Sequence, residues 1–150
     1  MTVDGAETFY RLTVDKPGGK INLINGNITV SNRMTLTSGN INIGSTNLVI
    51  PLLGSLAGGS SSSSVITEGT GSIKRHVNGA TSFPIGAATS YLPIILNNTG
   101  SPDNFSANIF QSVQSVNLEK IISCRDGEGR HHFLEKYADG AERPQPDMVE

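Results

Sequence analysis

Between Leu12 and Ile50 the apolar residues come in pairs split by a single residue. They are Leu12 and Val14, Ile21 and Leu23, Ile28 and Val30, Met34 and Leu36, Ile41 and Ile43, and Leu48 and Ile50. Side chains alternate along a strand, so both members of a pair lie on one face. Gly, Asn, Ser and Pro fill the gaps, and these residues turn a chain. Most pairs begin six or seven residues after the previous one, room for one short strand and one corner. Three such units make a coil of about 20 residues, and coils stack at about 4.8 Å, the spacing of neighbouring strands.

The pattern therefore predicts a short right-handed parallel β-solenoid over residues 1–57, with about two coils between Phe9 and Ile50. Asparagines 22, 25, 27, 32, 40, 42 and 47 are expected at corners or on the solvent side. A meander of antiparallel hairpins is the competing reading, because Asn25-Gly26 is a strong hairpin-turn signal and Pro17-Gly18-Gly19 also turns the chain. The even spacing over six units favours the solenoid. Both readings are all-β.

After this zone comes AGGSSSSSV, and residues 58–64 have the composition of a flexible linker. Residues 65–117 read as a small antiparallel β-sandwich-like region packed on the solenoid end. Strand-like segments fall at 65–67, 72–77, 91–96 and 105–116. Within TSFPIGAATSYLP (81–93), Pro84 and Pro93 cannot donate to a strand ladder and belong at starts, edges or bulges. Phe83 is expected to plug the core, Pro84 and Gly86 to shape a corner, and Pro93 to open the next strand.

Residues 118–150 form a charged tail. This segment holds 13 of the 24 charged residues, about a fourfold rise in charge density over the preceding chain. HHFLEKYADG (131–140) predicts one short helix, near 131–138, stopped by Gly140. ERPQPDMVE has no apolar periodicity and is expected to be poorly ordered.

The order of FPIG (83–86), YLP (91–93) and the upstream GTGSIKR (69–75) resembles repeat-rich, adhesin-like cell-surface proteins of the Bacteroidetes, of the type IX secretion kind. FYRLTVDKPGG and LTSGNINIGSTNLVI also resemble the β-solenoid repeats of that family. The resemblance covers residues 8 to 100. It implies an extracellular or cell-surface location and partners that are neighbouring repeats or domains of a longer surface protein, with glycans as further candidates. Residues 118–150 do not match the family, and its C-terminal sorting domain is not recognisable here.

The net charge of −2 offers no attraction to nucleic acid or an anionic membrane. No run has the length of a membrane span or the form of a signal peptide, so an export signal is expected outside this chain. Cys124 is the single cysteine, so no intrachain disulfide forms.

GTGSIKR lacks the G-x-x-x-x-G-K-[ST] phosphate loop and reads as a strand entry. Lys74, Arg75 and His76 are the one basic cluster before the tail, a strand edge guarded by charge more than an anion site. Cys124, His131 and His132 supply only half of a zinc-ligand pattern. Asp126 and Glu128 lack the fuller oxygen series of a calcium loop. Asp4, Glu7, Asp15, Glu68 and Asp103 sit in turn-like or terminal settings, with no sign of the converging acid and base that a glycosidase needs. No catalytic, metal or cofactor residues are assigned.

The expectation is a non-enzymatic structural or adhesin-like segment. A carbohydrate-binding module attached to a polysaccharide-degrading enzyme is the alternative, and a β-helix polysaccharide lyase fragment a more distant one.

Overall fold

The computed structural model describes residues 1–110, 118–125, 131–137 and 142–144. It is all-β, and no helix occurs among the described residues. The strands are β1 (Thr2–Asp4), β2 (Glu7–Ile24), β3 (Ile28–Asn42), β4 (Leu48–Ile50), β5 (Ser55–Gly58), β6 (Val65–Ile66), β7 (Ile73–Phe83), β8 (Ile85–Gly86), β9 (Ile94–Phe110), β10 (Leu118–Arg125), β11 (His131–Tyr137) and β12 (Glu142–Pro144).

From β1 to β8 the pairing is parallel, and partners lie 20 to 25 residues apart along the chain. That repeat is one coil of a β-solenoid, and about four coils stack. The first wall is the start of β2, the start of β3, then β4 and the start of β7, with Ile28 beside Leu48 and Leu48 beside Ile73. The second wall aligns Leu12, Met34 and Leu56. The third wall aligns Ile21, Ile41, Val65 and Ile85, and β1 extends it by pairing Thr2 with Asn22.

Each apolar pair of the sequence thus belongs to one wall and stacks on the pair one coil away. Ile28, Val30, Met34, Ile41, Ile43, Leu48, Ile50, Val65, Ile73 and Ile85 are fully or almost fully buried in a single continuous core. The hairpin alternative is excluded by the parallel registers. Asn25 has a φ of 60°. It turns a corner, and its Nδ2 donates to Asp4 Oδ1 one coil away at 2.9 Å.

Asparagines tie other corners together. Asn27 Oδ1 accepts from both the backbone N and Nδ2 of Asn47 at 2.9 and 3.0 Å. Asn47 Oδ1 accepts in turn from the N and Oγ of Ser72 at 3.2 and 3.0 Å. These amides satisfy backbone donors where the ladder is interrupted at a corner.

Two expectations about the middle of the chain are corrected. Residues 58–64 are not a linker between domains, and the solenoid does not end at residue 57. The serine run makes a tight excursion in which Ser60 and Ser63 exchange backbone hydrogen bonds of 2.8 and 3.1 Å. The chain then re-enters the stack at Ser64, whose N and Oγ donate to Asn40 Oδ1. Ser63 and Ser64 are buried, which composition alone does not reveal. Gly58 allows this exit: it has a φ of 85°, and its Cα faces the Leu36 carbonyl so closely that a side chain would collide.

The antiparallel part begins later than expected and is built differently. β6 and β8 still belong to the parallel stack, whereas β7 and β9 form an antiparallel pair from Ile73–Ala107 to Phe83–Ile94. β9 pairs with β10, β10 with β11 and β11 with β12, all antiparallel. The helix expected near 131–138 is instead strand β11, because the backbone there pairs along β10 from Arg125–His131 to Leu118–Tyr137. A weak helical pattern in a short segment is overridden when a neighbouring strand offers its ladder. Of the expected tail, 126–130, 138–141 and 145–150 lie outside the described residues, as do 111–117 of the expected antiparallel region.

Candidate functional site

The TSFPIGAATSYLP segment is where parallel stacking ends. Phe83 is fully buried. The Pro84 and Gly86 carbonyls accept from Val65 N and Thr67 N at 2.9 and 3.1 Å, so this stretch serves as the last coil's third wall. The Ile85 carbonyl accepts instead from Leu92 N at 3.0 Å, and Ala87 N donates to Ser90 O at 2.8 Å. The two bonds fold the chain back on itself, with Gly86 bridged to Tyr91. Alternate carbonyls of one strand therefore hold the stack and the reversal at once. Proline suits position 84 because that residue is needed only as an acceptor. Pro93 directly precedes β9, the strand start read from the sequence. β9 then returns along β7, and its Ile109 N donates to Thr67 O at 3.3 Å, tying the returning strand to the third wall.

Arg75 lies inside this cap. Isoleucine 73, Arg75 and Val77 share the inward face of β7, while Lys74 is exposed and His76 is half-buried beside Asn104, 3.3 Å from its Oδ1. The basic cluster of the sequence is thus divided between two faces and presents no joint anion site. Arg75 is only 9% exposed and pairs with Ile50 on the first wall. Its Nη1 donates to the Ser82 backbone carbonyl, and its guanidinium carbon lies 5.7 Å from the Phe83 ring centroid. Nε is buried without a hydrogen-bond partner. Burial lowers the Arg75 pKa from its ordinary value by desolvation, yet a guanidinium remains charged at neutral pH. The strict alternation of IKRHV is the sequence signal that sets Arg75 on the face of Ile73 and Val77.

The other sequence candidates are dispersed. Asp4 accepts from Asn25, and Asp15 from Ser38 Oγ at 2.5 Å. Glu68 accepts from Ala88 N at 2.9 Å, bracing the reversal loop. Asp103 accepts from its neighbour Asn104 N at 2.7 Å. Glu7 opens β2 and is exposed. In GTGSIKR, Gly71 packs against the Thr46 carbonyl and donates its N–H to Gly44 O at 2.9 Å. Those glycines form a close-packed corner. Backbone register places Cys124 beside His132 and Arg125 beside His131. Asp126 and Glu128 lie outside the described residues. Among the described residues, no three His, Cys, Asp or Glu side chains gather as a metal site.

Two clefts lie at the opposite end of the stack, the larger, about 420 Å³, beside Thr2, Asn22 and Asn42, and the smaller more apolar. Val3, Phe9, Leu12, Ile21, Leu23 and Ile28 help line this smaller cleft of about 350 Å³. It is the mouth of the first coil. Among the described residues, β2 has a strand on only one side, β3, from Glu7 to Val14, and gains β1 on the other side only at Asn22–Ile24.

A β-solenoid with one covered end and one open end is the class that this fold defines. Comparisons with family models, with curated proteins and with solved structures find no match.

Proposed function

We propose that the chain is a non-enzymatic structural segment of an extracellular bacterial surface protein, extending and presenting neighbouring binding regions. The observation that carries the reading is the asymmetry of the stack: β9 lies along β7 at its last coil, while its first coil presents an apolar mouth and a ladder unpaired among the described residues. Such a body is suited to sit in line with other repeats. The use of Asp4, Asp15 and Glu68 as corner and loop acceptors is in keeping with a scaffold role.

An antibody against the chain tests the location. On intact cells of the source organism, the protein should be labelled and should be removed by added protease. Labelling only after lysis would reject a surface role. A glycan array and an assay for new unsaturated ends on acidic polysaccharide, run with the same chain, should both stay blank. Binding or turnover there would replace the scaffold reading with a carbohydrate-binding or lyase function.

A further inference from the structure

We propose that the open mouth is the docking surface for one further solenoid coil, supplied by polypeptide that leads into β1. The proposal rests on the scaffold reading above and specifies its nearest partner.

The occupant's direction is set by β1. It lies parallel to β2, with Thr2 beside Asn22 and Asp4 beside Ile24, and Asn22 N donates to Met1 O at 2.9 Å. The third wall is therefore one strand higher than the other two. Each coil visits the first, second and third walls in that order, so chain entering β1 descends from the second wall. There it would pass over Arg11–Val14, and before that over Glu7–Phe9, the stretch of β2 whose outer ladder is unpaired among the described residues.

The side chains fit the same occupant. Phe9 and Leu12 are only partly buried, although the residues aligned with them one coil below, Val30 and Met34, are fully buried. A strand of alternating apolar and polar residues would give them the neighbours that Val30 and Met34 already have. At the other end β9 lies along β7 from Ile73 to Phe83, and among the described residues only the short β5, paired with β3 alone, keeps a bare outer edge there. Along the first wall the stack thus ends under β9 on one side and at the bare edge of β2 on the other, among the described residues.

The test uses the full chain with a copy of residues 7–20 attached directly before Met1. Since Thr2 pairs with Asn22, Met1 occupies the place of Ile21, and the copy enters in phase. A second version carries one additional glycine at the junction, which exchanges the inward and outward faces of the added strands. In-phase extension should slow exchange of the outward amides between Thr8 and Val14 at least tenfold, and the shifted version should not. Equal exchange in both versions would overturn the proposal. So would an unextended chain that is dimeric by light scattering with those amides already protected, because a second copy would then be the occupant. Neither result bears on cell-surface location, which the labelling experiment decides separately.

Discussion

At the first coil, β2 turns Phe9 and Leu12 toward a cleft and, among the described residues, has no strand beyond it from Glu7 to Val14, whereas at the last coil β7 has β9 beside it from Ile73 to Phe83. Both coils carry the same kind of alternating apolar residues, so composition does not separate them. What separates them is chain direction. A parallel coil leaves its outer ladder ready for another parallel coil, and an exposed ladder also invites unwanted pairing. The reversal at 85–92 replaces that template with an antiparallel strand from the same chain. Arg75 adds to the difference, because it places a charge on the inward face where Val30 and Ile50 lie in the earlier coils. That charge is already buried, with Nη1 donating to the Ser82 carbonyl, whereas the earlier coils carry only apolar side chains at this place.

If the covered end holds the stack together, removing it should have the largest effect. Truncation after Ala87 strips β9 from β7 and exposes the inner side of Val77 and Phe83. The truncated chain should lose cooperative unfolding and self-associate, as seen by light scattering, whereas deletion of residues 1–4 should leave a folded monomer. A well-folded monomer from the truncation would erase the distinction between the ends.

Single substitutions sharpen it. Phe83→Ala should cost about 3–5 kcal/mol in urea unfolding, as expected for a fully buried ring. A loss under about 1 kcal/mol would mean that the cap tolerates a hole of that size, far below the usual range for such truncations.

Along the second wall, Met34→Ala should cost about 2–5 kcal/mol. Leu12→Ala, one coil nearer the mouth and only partly buried, should cost about 1 kcal/mol, in proportion to the smaller apolar area it hides. Equal costs for the two would show that the mouth is as well packed as the interior.

Arg75→Met should leave stability unchanged or raise it, because an apolar residue of similar length removes a buried charge. Chemical denaturation measures the change directly. A marked loss would show instead that the bond from Arg75 to the Ser82 carbonyl holds β7 in its bent course. Lys74→Ala, on the outward face of the same strand, should change stability by less than about 0.5 kcal/mol and serves as the baseline.

Much of the solenoid was legible from residues alone. The pairs from Leu12 to Ile50 identify their walls, and Asn22, Asn27, Asn42 and Asn47 do stand at or beside corners with hydrogen bonds between coils. Phe83 and Pro93 also carried their roles openly. The serine run did not. Ser63 and Ser64 are buried because Asn40 Oδ1 accepts from Ser64 while Gly39 N and Ile41 N of β3 donate to the Ser62 and Ser64 carbonyls, and no local property of serine announces such partners. The helix expected at 131–138 failed for the same reason, since a short segment takes the conformation that its neighbour's ladder supports.

Local alternation and turn chemistry determined that this chain makes short strands with one apolar face, because those rules act within a few residues. Whether strands pair with the previous coil or with a returning neighbour depends on groups 11 to 34 residues away, beyond the reach of those local rules, so only the tertiary structure decided where the stack continues. It also decided where the stack stops. Pro84, Ile85 and Gly86 are ordinary strand and turn residues in sequence, and their carbonyls become a stop only when Val65 and Thr67 take two of them and Leu92 takes the third.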